Sequence, residues 1–278
     1  MNPLDSSIDR DVQLALDEDI GPGDASAALI PEATRMRATL ISRDAGVMAG
    51  RAWAERAFER CGLDAGDCRW EVEDGDALEA GRILARFDGP ARALLTAERT
   101  ALNFIQLLSG IATRTAAYVA AVDGTGTKIL DTRKTLPGLR VAQKYAVRVG
   151  GGHNHRLGLY DLIMLKENHI AAAGGIAPAV AAARNRFPTL AVEVEVETLD
   201  ELDQALQARA DRIMLDNFSL EALAEGVARA NGQAILEASG NVTLDTVRTI
   251  AETGVDEISV GELTKRITPL DLSLRFSD

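Results

Sequence analysis

The chain has 278 residues, of which 46% are hydrophobic and 4% aromatic, and it carries a formal net charge of −12. That length accommodates two domains or one large barrel with an extension. The acidic balance and the shortage of aromatic rings argue against a nucleic-acid partner and an anionic membrane surface, and no apolar run approaches the roughly 18 residues of a membrane span. The acidic N-terminus lacks the apolar segment of a signal peptide, and Cys61 and Cys68 lack metal-site spacing, so we expect reduced thiols in a cytoplasmic protein.

The first hundred residues predict a small α+β domain. Apolar residues within 5–19 fall on one face of a short helix, which a Gly-Pro-Gly turn ends. Short strand-like runs follow from 36 to 87, separated by glycines and by one helix at 51–61, which is typical of a hairpin-rich sheet. Residues 94–122 then repeat apolar side chains at helical spacing, and Ser109-Gly110 is expected to interrupt that helix.

After Thr127 the pattern changes to short apolar or β-branched runs, most of them separated by Ala- and Leu-rich helical stretches. This alternation predicts βα repeats and a parallel sheet. The predicted strands are 128–131, 162–166, 191–197, 211–216, 234–240 and 256–261. Each ends in a charged or polar residue or in a Ser/Gly turn, which is typical of an α/β barrel active site. A doubly wound open sheet is the alternative, although neither a Rossmann glycine fingerprint nor a P-loop motif supports it.

Alternation in the run 192–197 places valines on one face of a strand and three glutamates on the other. In an edge strand these glutamates would face water, whereas in a barrel they would point toward the axis or the mouth. Buried carboxylates need partners. The available cations are Arg133, Lys134 and Lys166.

Residues 131–170 form a cationic segment within this acidic chain and contain all three of its histidines. Arg140, Lys144 and Arg148 share one helical stripe, so a solvated helix face explains these three as well as an anion site does. A run of three glycines at 150–152 favours an anion site, because such a run marks a tight turn or a close backbone approach.

Other chemistries are open at the same segment. Lys166 at a strand end is a candidate Schiff-base lysine, as in barrel aldolases, although the surrounding cations favour anion binding. His153, His155 and His169 are candidate zinc ligands, but their spacing in a glycine loop does not match helical ligand pairs. The Ser/Gly turns that follow the last two predicted strands suit a phosphate, which backbone N–H groups would bind.

At these residues the chain resembles the quinolinate phosphoribosyltransferase family. The matching segments are ERTALNFIQLLSGIAT (98–113), DTRKTLPGLR (131–140), KYAVRVGGGHNHRLGLYDLIMLKENHI (144–170), EVEVE (193–197), IMLDNF (213–218), EASGN (237–241) and ISVGELT (258–264). The resemblance implies an α/β protein with a small N-terminal α+β sandwich domain, here 1–109, followed by an incomplete α/β barrel at 110–278. The C-terminal tail would be free to pack back on the first domain.

The resemblance also implies a reaction. Quinolinate and phosphoribosyl pyrophosphate, with Mg²⁺ as cofactor, would give nicotinate mononucleotide, pyrophosphate and CO₂ in the de novo synthesis of NAD. The partners would be these small molecules, without nucleic acid or membrane. The chain would form a homodimer with shared active sites, and assembly beyond the dimer is left open.

Roles for single residues follow from the resemblance as well. The quinolinate carboxylates would be held by Arg133, His155, Arg156 and Lys166, with Arg99 contributed by the neighbouring subunit. The phosphoribosyl pyrophosphate site would comprise Lys134 near the pyrophosphate, Glu195 and Asp216 at the ribose hydroxyls and Mg²⁺, and Ser239, Gly240 and Gly261 at the 5-phosphate. The catalytic residues would be Lys134, Lys166, Glu195 and Asp216.

Three alternatives remain beside this function. A nicotinate phosphoribosyltransferase would handle one carboxylate without decarboxylation, and a molybdenum-associated relative shares a similar TRKT and HR core. The segment NHRLGLYDLIMLKENHI favours the quinolinate enzyme over both. A non-catalytic binding protein on an inherited barrel would require decay of at least one charged position, and every such position is present.

Overall fold

The computed structural model describes residues 3–277, which form two compact units. The first comprises 3–116, 135–151 and 266–277, and the second comprises 117–134 and 152–265. Within the described residues, no helix is long and apolar enough to cross a membrane.

Helices and strands alternate along most of the chain. The helices are α1 (Pro3–Ile20), α2 (Arg51–Arg60), α3 (Ala91–Ala121), α4 (Arg140–Val149), α5 (Glu167–Ala173), α6 (Ile176–Arg186), α7 (Leu199–Gln207), α8 (Leu220–Ala230), α9 (Val247–Ala251) and α10 (Glu262–Lys265). The strands are β1 (Arg35–Ser42), β2 (Gly46–Val47), β3 (Cys68–Trp70), β4 (Ala77–Leu78), β5 (Ile83–Pro90), β6 (Lys128–Leu130), β7 (Ile163–Leu165), β8 (Val192–Val196), β9 (Arg212–Asp216), β10 (Ile235–Ser239), β11 (Glu257–Ser259) and β12 (Leu272–Ser277).

The first unit is built on an antiparallel sheet with the order β12-β1-β5-β3. Its outermost strand β12 comes from the C-terminal end of the chain and pairs with β1 from Arg37 to Ser42. Leu40, Trp53 and Leu84 are fully buried in its core. Cys61 and Cys68 are free thiols, and burial raises the pKa of Cys68 to about 12.

Helix α3 runs without a break through Ser109 and Gly110, so the predicted interruption is wrong. The buried Ser109 hydroxyl accepts the Ala49 N–H at 2.9 Å and donates to the Ala49 carbonyl at 3.1 Å, which satisfies it within the helix. A Cβ on Gly110 would lie 2.2 Å from the Thr268 carbonyl oxygen. Both residues therefore serve close packing and do not end the helix.

Helix α4 carries the stripe of Arg140, Lys144 and Arg148. Lys144 is only 1% exposed, so the interpretation of the stripe as a solvated helix face is wrong for this residue. Arg148 is exposed, as that interpretation predicts. Just after the helix, a Cβ on Gly150 would lie 2.3 Å from the Ala112 carbonyl oxygen. The glycine run therefore marks a close backbone approach, as the sequence predicts.

The second unit is an α/β barrel whose sheet is open. Its six parallel strands have the order β6-β11-β10-β9-β8-β7. From β7 to β11, neighbours in the sheet are also neighbours in the chain, without the reversal that defines a doubly wound fold. Within the described residues β6 and β7 do not pair with each other, so the barrel is incomplete. All six strands lie where the sequence predicts them.

Candidate active site

A cavity of about 400 Å³ lies at the carboxyl ends of the parallel strands in the second unit. Parallel strands end at one face of a barrel, so residues distant in the chain meet there. Its lining consists of Thr132, Arg133, Lys134, His155, Arg156, Met164, Lys166, Glu195, Met214, Asp216, Glu237, Ser239 and Ser259.

The cavity brings together most of the residues that the sequence selects. Eight of them line it: Arg133, Lys134, His155, Arg156, Lys166, Glu195, Asp216 and Ser239. Gly240 follows Ser239, and Gly261 lies against Lys134, because a Cβ on Gly261 would be 3.1 Å from the Lys134 Cδ. Arg99 is elsewhere, on α3 in the first unit, where it lines a separate cavity of about 420 Å³.

The loop that carries His155 and Arg156 is tied to the end of β6 by the fully buried Asp131. The Asp131 carboxylate accepts the Asn154 side-chain amide at 2.5 Å and the His155 backbone N–H at 3.0 Å. His153 adds a parallel bridge to Leu130. These contacts fix the backbone from which the two side chains reach the cavity.

Two guanidinium groups approach each other in the cavity wall. Burial and the nearby Arg133 lower the pKa of Arg156. The Arg156 guanidinium has only long contacts, 3.4 Å to the Leu162 carbonyl and 3.5 Å to the Met164 sulfur, and forms no salt bridge within the described residues. A crowded cation of this kind favours an anionic ligand, because bidentate hydrogen bonds to a carboxylate would offset the repulsion.

Lys166 follows β7 directly and forms an ion pair with Glu195 of β8. Its ammonium therefore has a carboxylate partner, and 45% of the side chain is exposed. Both features argue against a Schiff-base lysine, which needs an apolar pocket or a second cation to lose its proton. The backbone N–H of Lys166 donates to His169 Nδ1 at 3.1 Å, so this histidine caps α5.

Charged side chains continue from the cavity wall, where His155 and Glu237 lie, into the barrel interior. We call His155, Glu193, Arg212, Glu237 and Glu257 the buried cluster. Arg212 lies 3.0 Å from Glu237 and 3.7 Å from Glu193, and it also pairs with Glu257. His155 Nε2 lies 3.0 Å from Glu193 and 3.2 Å from Glu237. The side chains of both glutamates are 0% exposed.

Burial and the neighbouring carboxylates have opposite effects on the pKa of His155. Burial lowers its pKa, but the close carboxylates of Glu193 and Glu237 outweigh burial and raise it. The Arg156 backbone N–H, however, donates to His155 Nδ1 at 2.7 Å, which requires Nδ1 without a proton. This direct contact decides the tautomer, so the ring proton lies on Nε2. Burial raises the pKa of Glu193.

One group of potential metal ligands lies within the buried cluster. His155, Glu193 and Glu237 are the single group of potential ligands within 4.8 Å of one another in residues 3–277, and it contains one histidine. His153 and His169 are not part of this group, so within residues 3–277 the three histidines do not come together as zinc ligands.

Family models match nearly the whole chain. The quinolinate phosphoribosyl transferase N-terminal domain matches residues 24–109, and the C-terminal domain of the same enzyme matches residues 111–275.

The chain belongs to the quinolinate phosphoribosyltransferase family.

Individual family members are similar over almost their full lengths. The nicotinate-nucleotide pyrophosphorylase [carboxylating] of Mycobacterium leprae is 44% identical, with 95% of each chain covered. The solved nicotinate-nucleotide pyrophosphorylase of Francisella tularensis is 45% identical with a TM-score of 0.95, covering 98% of this chain and 97% of that one. NadC from Streptococcus pyogenes is 41% identical with a TM-score of 0.93, covering 100% of this chain and 99% of that one.

Sequence analysis of this quinolinate phosphoribosyltransferase family member missed several cavity residues and assigned Glu193 to the wrong partners. Lys166 does pair with Glu195, but Glu193 contacts Arg212 and His155 instead of Arg133, Lys134 or Lys166. Arg212 stands at the start of a predicted strand, where a charged residue usually faces solvent. The sequence signal that could have indicated buried charges was Glu237 and Glu257, because each is a charged residue inside an apolar run. The two residues are register partners in β10 and β11.

Asn217 is a further residue that sequence analysis did not single out. Its side-chain amide donates to Asp216 at 2.8 Å, and its backbone N–H donates to the Ser239 carbonyl at 2.9 Å. Its φ of +56° is a left-handed conformation that asparagine tolerates better than most residues. Asn217 thus joins the ends of β9 and β10 at the edge of the cavity.

Proposed function

We propose that this protein transfers the phosphoribosyl group of phosphoribosyl pyrophosphate to quinolinate and releases CO₂, giving nicotinate mononucleotide and pyrophosphate for NAD biosynthesis. The observation that carries the proposal is a single cavity in which Arg133, Arg156 and Lys166 face the carboxylates Glu195 and Asp216. The name of the Mycobacterium leprae relative, which includes the word carboxylating, supports the same reaction.

The cationic wall suits a ligand with two adjacent carboxylates. Arg133 and Arg156 repel each other without a ligand, and a dicarboxylate would relieve that repulsion. Lys166 would exchange its contact with Glu195 for one with the substrate. Met164 and Met214 line the same cavity and offer apolar contact to a pyridine ring.

The chemistry follows from where charge develops. The pyridine nitrogen attacks the anomeric carbon of the ribose as the bond to pyrophosphate breaks, and the leaving group takes the electron pair. Glu195 and Asp216 favour the positive charge that grows on the sugar, and Lys134 stabilises the leaving pyrophosphate. In the pyridinium product, the bond to the 2-carboxylate breaks and its electron pair stays on the ring carbon, where the adjacent positively charged nitrogen stabilises it. CO₂ leaves and that carbon takes up a proton.

The donor set fits Mg²⁺. Glu195 and Asp216 stand at neighbouring strand ends of one cavity and offer carboxylate oxygens, the hard ligands that Mg²⁺ prefers. One oxygen of each is engaged, by Lys166 and by Asn217 respectively, and one remains for an ion or a ribose hydroxyl. When bound with the substrate, Mg²⁺ would neutralise the pyrophosphate.

The 5-phosphate would lie at the turns after β10 and β11, against the backbone N–H groups of Ser239, Gly240 and Gly261. Gly240 has a φ of +109°, and a Cβ there would lie 2.2 Å from Asn217 Oδ1 and 3.0 Å from the Asn217 backbone nitrogen. Only glycine fits this turn without moving Asn217.

Replacing Gly240 by alanine is therefore expected to raise KM for phosphoribosyl pyrophosphate by about tenfold or more, while Kd for quinolinate changes less than about twofold. The physical reason is the collision with Asn217, which also holds Asp216. Gly232→Ala is the matched control, because Gly232 also has a positive φ, +74°, but nothing lies within 4 Å of a Cβ there. Equal effects of the two substitutions would show that backbone strain alone matters.

We further propose a homodimer with shared active sites. Arg99 lies on α3 in the first unit and does not line the candidate active-site cavity of the same chain. Its side chain is exposed and therefore available to a second copy of the chain. The resemblance assigns this arginine to the partner's quinolinate pocket. A cytoplasmic location stays a prediction.

Mixing inactive Arg99→Ala and Lys166→Ala subunits is expected to restore activity. After random exchange half of the dimers are hybrids with one intact site of two, so about a quarter of the wild-type activity should return. A mixture of Lys134→Ala and Lys166→Ala subunits is the control, because each defect stays in its own pocket. No recovery in the first mixture, with subunit exchange confirmed, would contradict shared sites.

A stopped assay that follows CO₂ and nicotinate mononucleotide tests the function. With quinolinate, phosphoribosyl pyrophosphate and Mg²⁺, the two products should appear in equal amounts, and nicotinate should not be consumed. Turnover of nicotinate without CO₂ would place the protein with nicotinate phosphoribosyltransferases. Inactivity with both substrates would favour the molybdenum-associated relative or a binding protein.

A further inference from the structure

The buried cluster is not explained by the needs of the fold. Moving charged groups from water into a protein interior is unfavourable, and replacing them by apolar side chains of similar volume often leaves a protein at least as stable. Barrel interiors are usually filled by branched apolar residues. Four charged side chains on four adjacent strands, with His155 against two of them, therefore indicate a role in the site.

We propose that Glu193 and Glu237, with Arg212 as their counter-ion, are positioning residues for His155. They hold the imidazole in one orientation with the proton on Nε2, in the wall of the cavity that takes quinolinate. This inference rests on the proposed function and adds to it the residues that set the geometry of the quinolinate pocket.

The contacts of His155 leave its ring one orientation. Nε2 lies 3.0 and 3.2 Å from the two carboxylates, and Nδ1 accepts the Arg156 N–H at 2.7 Å. A half-turn of the ring would replace both nitrogens by carbons and lose all three contacts. Because Asp131 also holds the His155 backbone, ring and main chain are fixed together. Arg156, the next residue, is thereby fixed as well.

Arg212 offsets the negative charge that the buried cluster brings into the barrel interior. Glu193, Glu237 and Glu257 bring three carboxylates into the interior, and Arg212 is within 4.0 Å of each of them. Its guanidinium forks between neighbouring strands, which a lysine could not do with comparable geometry. Without it the carboxylates beside His155 would repel each other and the anionic substrate.

A positioning role and a purely electrostatic role of Glu237 predict opposite changes in quinolinate affinity when the residue is replaced. A carboxylate beside an anion site repels the substrate, so an effect of charge alone would make quinolinate bind more tightly once Glu237 is neutral. A positioning role predicts weaker binding when the acceptor is lost. Glu237→Met removes both charge and acceptor, whereas Glu237→Gln removes the charge and keeps an acceptor oxygen.

The test is calorimetric titration of the full-length variants with quinolinate. Glu237→Met should raise Kd about tenfold, because the imidazole loses one of the two buried carboxylates that lie against Nε2, and Glu237→Gln should stay within about threefold of wild type. KM for phosphoribosyl pyrophosphate should change less than about twofold in both. Glu225→Gln, on the exposed face of α8, is the control. Unchanged or tighter binding by folded Glu237→Met would overturn the proposal.

A second measurement needs no variant at position 237. In wild-type protein labelled with ¹⁵N-histidine, the three side chains are assigned by single replacements at His153 and His169. His155 should show a protonated Nε2 with and without quinolinate, and an unprotonated Nε2 would refute the positioning. If wild-type protein does not bind quinolinate, the proposed function fails, while the ¹⁵N spectrum still decides whether the two glutamates hold the ring.

Discussion

Replacing Lys134 by alanine is expected to lower kcat by roughly 100- to 1000-fold, the range for loss of one preorganised charge at a developing anion, with KM for quinolinate within about threefold. Lys134 lies at the carboxyl end of β6 in the cavity, and its aliphatic chain passes over Gly261. Its carbonyl accepts the Thr264 hydroxyl at 2.8 Å, which ties the residue to α10. The ammonium lies beside Gly261, at the turn for which we propose a phosphate.

The kinetic pattern distinguishes this role from substrate binding. An interaction made only as pyrophosphate leaves lowers kcat and kcat/KM together, whereas uniform binding raises KM alone. Lys128→Ala is the matched control, because Lys128 is exposed at the amino end of the same strand, away from the cavity. A large rise in KM for quinolinate with little loss of kcat would contradict the placement of Lys134 at the leaving group.

Arg156→Ala is expected to raise Kd for quinolinate between tenfold and a hundredfold, because charge-assisted hydrogen bonds contribute roughly 1.5 to 3 kcal/mol. The guanidinium forms no salt bridge within the described residues, so its loss breaks no internal ion pair and should leave the melting temperature nearly unchanged. Arg156→Lys should recover only part of the affinity, since a lysine lacks the planar fork that matches a carboxylate.

The control for this prediction is Arg229→Ala, which removes an arginine from the exposed face of α8, where it pairs with Glu225 and Asp203. Calorimetry with quinolinate and thermal melting of all three variants provide the comparison. If Arg156→Ala bound quinolinate like wild type but lost kcat, the residue would act on the other substrate or on the leaving group.

Much of the barrel could be predicted because its signals are local. A strand buried in a parallel sheet needs a short apolar run, and its last residue stands at the carboxyl face whatever its neighbours are. Lys166, Glu195 and Asp216 were placed at the cavity on that basis alone, and the structure brings them there. The resemblance then supplied roles that periodicity could not, and the boundary after residue 109 stays a prediction.

Other features depended on partners far away in the chain. Ser109 and Gly110 have the composition of a helix break, yet contacts to Ala49 and Thr268 keep them within α3. Lys144 lies on a basic helical stripe, yet it is buried. In both cases the local sequence pattern is present, but tertiary packing determines whether the helix continues and whether the side chain is exposed.

The sequence by itself determined the six parallel strands, the cationic segment and the residues that end each strand, because burial period and strand polarity are properties of consecutive residues. Tertiary structure decided which charges meet. Glu193 and Arg212 face each other through the register of β8 and β9, and His155 joins them from a loop. Register and barrel closure arise from contacts between segments, so no window of sequence could show that these charges meet at the cavity.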